Sequence, residues 1–349
     1  MDTEVVIVGA GLAGAATAFA LVRQGVRSLL VAEQEATPTR HSSGRNAALV
    51  RRSTGDAELD RFCDEGAAFL AAPPADFPGT TDFRRTGSWL VAAPDVAARW
   101  VRPGVIPATG AELARALPPY APPEGAAFLR CPDDGVADPH AVVAGFLAAA
   151  RAGGATVRFE SPVDSLAVER GRIAGVVIKG RFEAARVVVD AAGAWAGTLG
   201  RAAGGGDPQV RPYRRHLLRT QPDARIDPAW PWVWDHLRGF YARPEQGGWL
   251  ACGCDEAPWP ASDCAADPAV APRVAALLAA AFPPFAGAAT AEFRAGHRTR
   301  RDDERFVLRG DARIRGLHYA CGLGGHGLTA AAAVGAAAAR AVVAELGRG

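Results

Sequence analysis

Apolar and polar positions change period several times along this chain, and each change marks an element. Val5-Val6-Ile7-Val8 is an unbroken β-branched run, the pattern of a strand covered on both faces of a parallel sheet. A glycine cluster follows, and the next apolar spacing predicts a helix over residues 15–24, stopped by Gly25. Residues 28–32 form a second apolar run, so strand, helix and strand succeed one another within roughly thirty residues as a βαβ unit. Residues 34–53 show no period, and an irregular stretch of that length usually serves a site. Residues 77–139 are proline-rich and predict short helices around a strand near residues 88–92.

Beyond that region the pattern predicts a helix over 141–152 and a strand over 156–159 that rejoins the first sheet. Residues 166–169 and 173–178 flank Arg170-Gly171 and predict a hairpin. Val187-Val188-Val189 is again a buried strand, leading into Asp190-Ala191-Ala192-Gly193. From Arg211 to about Arg300 the alternation predicts short antiparallel strands with one helix near 272–281. A last strand over 317–321, a glycine loop over 322–327 and an alanine-rich helix close the chain. Both ends thus belong to one lobe, with a second lobe inserted in pieces.

Composition narrows the partners. The chain has 349 residues, 49% of them hydrophobic, enough for a large core in two lobes. A net charge of +2 gives no electrostatic case for nucleic acid or a membrane. Lys179 is the single lysine, and the heavy use of Arg, Ala, Gly and Pro suggests a GC-rich bacterial coding sequence. The 6 cysteines form no CxxC pair and no zinc-spaced cluster, so no metal site is expected, and the thiols read as reduced core residues of a cytoplasmic protein. Residues 1–4 run straight into a strand with no basic n-region. Residues 329–346 are apolar but interrupted by Arg340, and read as a buried helix rather than a membrane span.

The chemistry begins at Gly9-Ala10-Gly11-Leu12-Ala13-Gly14, a GxGxxG between a strand and a helix. Gly9 permits the tight turn, Gly11 the approach of a pyrophosphate, and Gly14 close packing of helix on strand, with the helix N-terminus facing the phosphates. Glu33 ends the second strand, where an acid bonds ribose hydroxyls. The motif alone suits NAD or FAD; its place at the N-terminus favours FAD.

Three further segments accompany it in order: His41-Ser42-Ser43-Gly44-Arg45-Asn46-Ala47-Ala48, Ala191-Ala192-Gly193-Ala194-Trp195, and Cys321-Gly322-Leu323-Gly324-Gly325-His326-Gly327-Leu328-Thr329. With the glycine motif they resemble the D-amino-acid oxidase and glycine/sarcosine oxidase superfamily of FAD enzymes over nearly the whole chain. The stretches 40–48 and 212–215 are most similar to its D-arginine dehydrogenase branch. The resemblance implies an α/β fold, with a Rossmann-type FAD lobe on a parallel sheet (residues 1–75, 140–205 and 300–349). Residues 76–139 and 206–299 would form an inserted α+β substrate lobe with a mostly antiparallel sheet. It implies non-covalent FAD, because relatives that attach the flavin do so through a cysteine just after the position of Arg298, and residues 299–304 contain none. The implied FAD contacts are Gly9, Gly11, Gly14, Glu33, Ser42, Ser43, Arg45, Asn46, Ala47, Val163, Ala192, Gly193, Trp195, Gly322, Gly324, Gly325, His326, Gly327, Leu328 and Thr329. The last loop would present N–H groups and a helix N-terminus to the N1–C2=O edge of the ring, where reduced flavin is negative.

For the substrate, the resemblance places Arg298 at the carboxylate-binding arginine, Tyr241 beside it, and Arg215 as a second basic contact, with Arg214 its competitor one residue away. A guanidinium is the best fork for a carboxylate. The chain departs from the D-arginine branch: Gly87 and Ser88 stand where that branch has an acid, a tyrosine near Thr54 is missing, and Arg51 and Arg52 occupy the loop. An acidic or neutral amino acid or amine is therefore favoured over a cationic one. Trp230, Trp232 and Trp234 alternate as on one strand face, which reads as core packing or an aromatic pocket wall. Gly310 reads as a hairpin turn. The expected reaction is oxidation of a C–N bond to an imine by hydride transfer to flavin N5, with oxygen, or a quinone or dye, as acceptor. Lacking a lysine other than Lys179, the chain is expected to react poorly with oxygen. Two alternatives stand beside it: a 2-hydroxy-acid dehydrogenase using His216 or His297 as base, and a flavoprotein subunit that passes electrons to a partner.

Overall fold

Val5–Val8 lies inside a six-stranded sheet of the computed structural model, which describes residues 3–347. From one edge the order is Val307–Gly310, Leu317–Cys321, Val187–Asp190, Val5–Val8, Leu29–Ala32 and Thr156–Arg158. Every neighbouring pair is parallel except the edge strand Val307–Gly310, which runs antiparallel to Leu317–Cys321. The inner strands Val5–Val8, Leu29–Ala32 and Val187–Asp190 are buried at every position, as continuous apolar runs require when both faces are covered. One face carries the helices Leu12–Arg23, Pro139–Ala152 and Gly327–Leu346; the other is covered by the antiparallel strands Val163–Glu169, Arg172–Ile178 and Arg181–Ala184.

The helix Gly327–Leu346 is long and apolar enough to cross a membrane. It is instead packed at backbone distance, since a Cβ on Gly335 would lie 2.4 Å from the carbonyl of Ala16. Small side chains on both helices allow that approach, and Leu328, Val334 and Val342 are buried in the shared core.

A nine-stranded sheet stands beside this layer. Its path is Ala257–Pro258, Arg211–Thr220, Gly248–Cys252, Phe240–Glu245, Trp232–Asp235, Ser88–Ala92, Ala127–Cys131 and Ile106–Ala108, with Thr290–Arg300 paired on Arg211–Thr220. All its pairs are antiparallel except Trp232–Asp235 with Ser88–Ala92. The helix Ala271–Ala281 covers one side through Val274, Leu278 and Ala281.

Several boundaries differ from expectation for local reasons. The first helix starts at Leu12, because the last three residues of the glycine motif already form its first turn. The helix expected from residue 141 begins at Pro139, where the Asp138 side chain accepts the His140 N–H at 2.8 Å. The stretch from Arg211 to Arg300 is not only short strands: Arg211–Thr220 and Thr290–Arg300 form one long pair. Trp230 precedes its strand and stacks on Trp249, so the three tryptophans do not share a face. Gly310 is the last residue of its strand, opposite His318; Asp311 builds the turn by accepting the N–H groups of Arg313 and Ile314 at 2.7 and 2.9 Å. Lys179 is exposed in a tight turn at φ +49°, leading to the strand Arg181–Ala184, which the sequence pattern did not show. Met1, Asp2, Arg348 and Gly349, included in the expected FAD lobe, lie outside the described residues.

Candidate active site

A cavity of about 560 Å³ opens at the C-terminal ends of the parallel strands and extends to the large antiparallel sheet. Ligands of open parallel sheets bind at this edge. Gly9, Glu33, Ala191 and Gly322 each follow a strand and line it.

At this end the wall is mostly backbone. Gly9 turns with φ +96°, and a Cβ there would lie 2.8 Å from the carbonyl oxygen of Ala191. Gly14 is behind the wall: its Cβ would come within 1.9 Å of Gly9 O, so only glycine lets the helix sit on the turn. The helix Leu12–Arg23 has no side-chain cap of its own, and neither does Gly327–Leu346, whose first residues also line the cavity. Two dipole-positive helix ends therefore face one space. Glu33 accepts the N–H groups of Ala10 and Glu35, at 2.8 and 2.9 Å. Burial raises its pKa while these two bonds oppose the rise. Ser43 Oγ accepts the Leu12 N–H at 2.9 Å, which carries the 40–48 loop to the helix start.

That loop is held from several sides. Asn46 donates to the carbonyls of Ser43 and Ser42 at 2.8 and 3.2 Å and accepts from Ala48 N at 2.8 Å. Arg45 pairs with Asp263 at 2.9 Å, and the Ala47 carbonyl accepts Arg243 Nε at 2.6 Å. Ser42, Arg45, Asn46 and Ala47 all line the cavity, as do Val163, Ala192, Gly193 and Trp195. Gly322, Gly324, Gly325, His326, Gly327 and Leu328 form its far wall. Thr329 does not reach the cavity: its buried hydroxyl accepts Arg51 N at 3.1 Å and donates to Leu49 O at 3.4 Å, because the helix turns it toward the strand Leu49–Val50.

The other end is built from side chains. Across the long strand pair Arg298 stands opposite Tyr213, two residues from Arg215, so Arg298 and Arg215 share a face. Arg214 points away, stacks on Trp259 at 4.0 Å and pairs with Asp267. Arg215 lines the cavity but is committed: it donates to Asp255 O at 3.1 Å and to Glu256 at 2.6 Å. Arg298 is held loosely, 3.5 Å from Glu256 and 3.4 Å from Glu304, with Nε lacking a hydrogen-bond partner. Its guanidinium lies against Gly325, whose Cβ would be 3.4 Å from Arg298 Cζ. Tyr241 faces Cys252 on one neighbouring strand and Trp234 on the other. Burial, reinforced by Cys252, holds its hydroxyl well above the ordinary range, so it remains a donor.

Sequence reasoning underused four residues here. Arg51 lines the cavity half-buried, its guanidinium 4.4 Å from the Trp234 ring and 5.2 Å from that of Trp100. Trp232 and Trp234 line the wall, which decides between the two readings offered for them. His326 presents its ring as well as its backbone: Nε2 is 3.5 Å from Arg51, and burial, then the charges of Arg51 and Arg298, hold the imidazole well below 6.5 and neutral. Arg52 turns away to Asp64, at 2.9 Å. Of the two proposed bases, His216 is consumed by Asp255 at 2.6 Å and the Asp267 N–H at 2.8 Å, whereas His297 lines the cavity near Trp195 and His41. Among the described residues no His, Cys, Asp and Glu group could hold a metal ion.

A family model described as FAD dependent oxidoreductase matches residues 4–341. The chain belongs to the DAO family of FAD-dependent oxidoreductases. Solved structures share the fold at low identity. L-proline dehydrogenase from P. horikoshii matches with TM-score 0.88 and 22% identity, over 97% of this chain and 92% of that one. Glycine oxidase from Geobacillus kaustophilus matches with TM-score 0.82 and 22% identity, over 98% and 94%. Iminodiacetate oxidase from Chelativorans sp. BNC1 matches with TM-score 0.81 and 23% identity, over 98% and 95%. The DAO-family assignment makes FAD the cofactor, and the residues present suit it. Two uncapped helix ends and the Gly9 turn fit a pyrophosphate, Glu33 lines the place of a ribose, and the 322–328 loop fits the ring edge.

Proposed function

We propose that this DAO-family enzyme oxidises the C–N bond of an amino acid, or of an N-substituted amino acid, to an imine. The observation that carries this reading is Arg298: a guanidinium set against Gly325 of the ring-edge loop, loosely tied to two carboxylates, with donors open to the cavity. A substrate carboxylate would complete its bonds, and Tyr241, held protonated, would add a donor. Arg215 positions Glu256 more than it meets the substrate. When bound, FAD supplies acceptance of a hydride at N5. What the chain contributes is orientation of Cα–H by the carboxylate anchor and exclusion of water by Trp232 and Trp234. No side chain need take a proton if the amine arrives neutral. The glycine-rich wall and the Glu33 region would form the FAD lobe, and the large sheet the substrate lobe, with bounds near those read from the sequence. The flavin is held non-covalently, so acid precipitation should release all of it; colour that stays with the pellet overturns this.

A second reading is oxidation of a 2-hydroxy acid. It is favoured by one observation, His297 on the cavity wall, where a base for a hydroxyl proton would stand. Anaerobic mixing with panels of amino acids and 2-hydroxy acids separates the two. Flavin bleaching by amino acids supports the first reading, and bleaching by hydroxy acids alone replaces it with the second.

A further inference from the structure

Among the described residues lining the cavity, Arg51 is the one arginine with no carboxylate in ion-pair reach. Arg40 and Arg45 share Asp263, and Arg215 and Arg298 meet Glu256. Arg51 has instead the faces of Trp100 and Trp234, a long contact of 3.5 Å to His326 Nε2, and a buried Nε with no hydrogen-bond partner. Burial and the neighbouring Arg298 charge lower its pKa to about 10, which still leaves it cationic at neutral pH. A guanidinium partly withdrawn from water, with a buried Nε and no carboxylate partner, is costly and calls for a counter-ion.

The charge balance around it is uneven. Arg215, Arg298 and Arg300 are grouped around Glu256 and Glu304, leaving one positive charge over. Arg51 makes a second, since Asp134, which acts on it electrostatically, is bound to the Arg52 N–H and the Ser88 hydroxyl rather than to it; His326, 3.5 Å from Arg51, is neutral. A single α-carboxylate answers only one of them. Arg51 lies on Trp234, directly across the strand pair from Tyr241, so its charge sits on the substrate side of the cavity.

We propose that Arg51 receives a second carboxylate, so that the site takes an amino dicarboxylate: an acidic amino acid, or an amino acid whose N-substituent ends in a carboxylate. The inference rests on the amino-acid reading above and adds the substrate class.

The test uses the FAD-loaded protein. Succinate and glutarate, which cannot be oxidised at a C–N bond, are titrated against butyrate while the flavin spectrum is followed. Glutamate, aspartate and N-(carboxymethyl)glycine are then compared with glutamine, asparagine and sarcosine in anaerobic bleaching. Dicarboxylates should bind about a hundredfold more tightly than butyrate, the scale of a charge-assisted pair in a dry site. In Arg51→Met that ratio should collapse toward one, and Arg51→Lys should restore part of it. Equal binding of both acid types by the wild type overturns the inference, and assigns the Arg51 charge to the cofactor instead. Equal weakening of both types in Arg51→Met also overturns it, since both arginines would then grip one carboxylate. If Arg51→Met does not fold, the wild-type comparison of glutamate with glutamine decides alone. Bleaching by neutral amino acids without acidic preference removes only this inference; no bleaching by any amino acid removes the parent reading as well.

Discussion

At the Gly9–Gly14 end the cavity wall is backbone and helix ends, supplied by short turns that follow the parallel strands. At the Arg298 end it is side chains from segments far apart: Arg51 from a loop, Trp234 and Tyr241 from neighbouring strands, Arg298 from a strand paired with 211–220. The first end tolerates little change at Gly9 and Gly14, where a Cβ meets fixed backbone. The second tolerates changes of shape but depends on charge. Backbone recognition therefore sets which cofactor class fits, and side-chain charge sets which substrate does.

The largest expected effect probes the charged end. Arg298→Met should retain FAD yet lower kcat/KM by a factor of about 10²–10³, roughly 3–4 kcal/mol, as an anchoring charge pair is lost from a dry site. Stopped-flow flavin reduction checks this, and near-normal reduction would move the anchor to Arg215 or Arg51. The contrasting change at the backbone end is Gly11→Ala. Its Cβ would sit 2.7 Å from Ser43 Oγ, so the bond to Leu12 N must lengthen or break. FAD affinity should fall by about ten- to thirtyfold, the worth of one or two hydrogen bonds, measured by titrating the apoprotein with FAD.

A smaller effect joins the two ends through His326. Its folded pKa lies well below 6.5, so as pH falls through 6.5 the unfolded chain binds a proton that the folded site refuses. Stability is then lost on the acid side, by about 1 kcal/mol between pH 6.5 and 5.5 from this group. Denaturant melts of His326→Asn at both pH values should show a correspondingly smaller acid loss; equal losses in both proteins would mean the folded histidine titrates normally. Smallest of all should be the effect of Lys179→Ala on reoxidation by air. The lysine is exposed in a turn and absent from both ends of the cavity. Reduced enzyme should return to yellow faster with a quinone or dye than with oxygen. Reoxidation by air faster than turnover would show that an arginine or the neutral histidine suffices for oxygen.

The nucleotide end was readable because its physics is local. A tight turn, a close approach and a helix start need glycine at set spacing between a β-branched run and an apolar helix, and Gly9, Gly11 and Gly14 meet that need within six residues. Thr329 shows the limit: it lies in the glycine-loop motif, but the helix phase turns its hydroxyl to Leu49 rather than the cavity. Trp230 shows another, since alternation predicts a shared face only where the strand continues.

The sequence by itself determined the βαβ opening, the FAD-type motif and the family, because these rest on neighbours along the chain. It also named Arg298, Tyr241 and Arg215 through resemblance, but not how each is bound. Only the tertiary structure decided that Arg215 rather than Arg214 faces the cavity, that Glu256 and Glu304 leave Arg298 loosely tied, and that Arg51 is half-buried on Trp234 without a counter-ion. Those outcomes depend on strand register and on charges brought together from more than two hundred residues apart, and the free energy of a buried charge is set by its surroundings in space rather than by its neighbours in the chain.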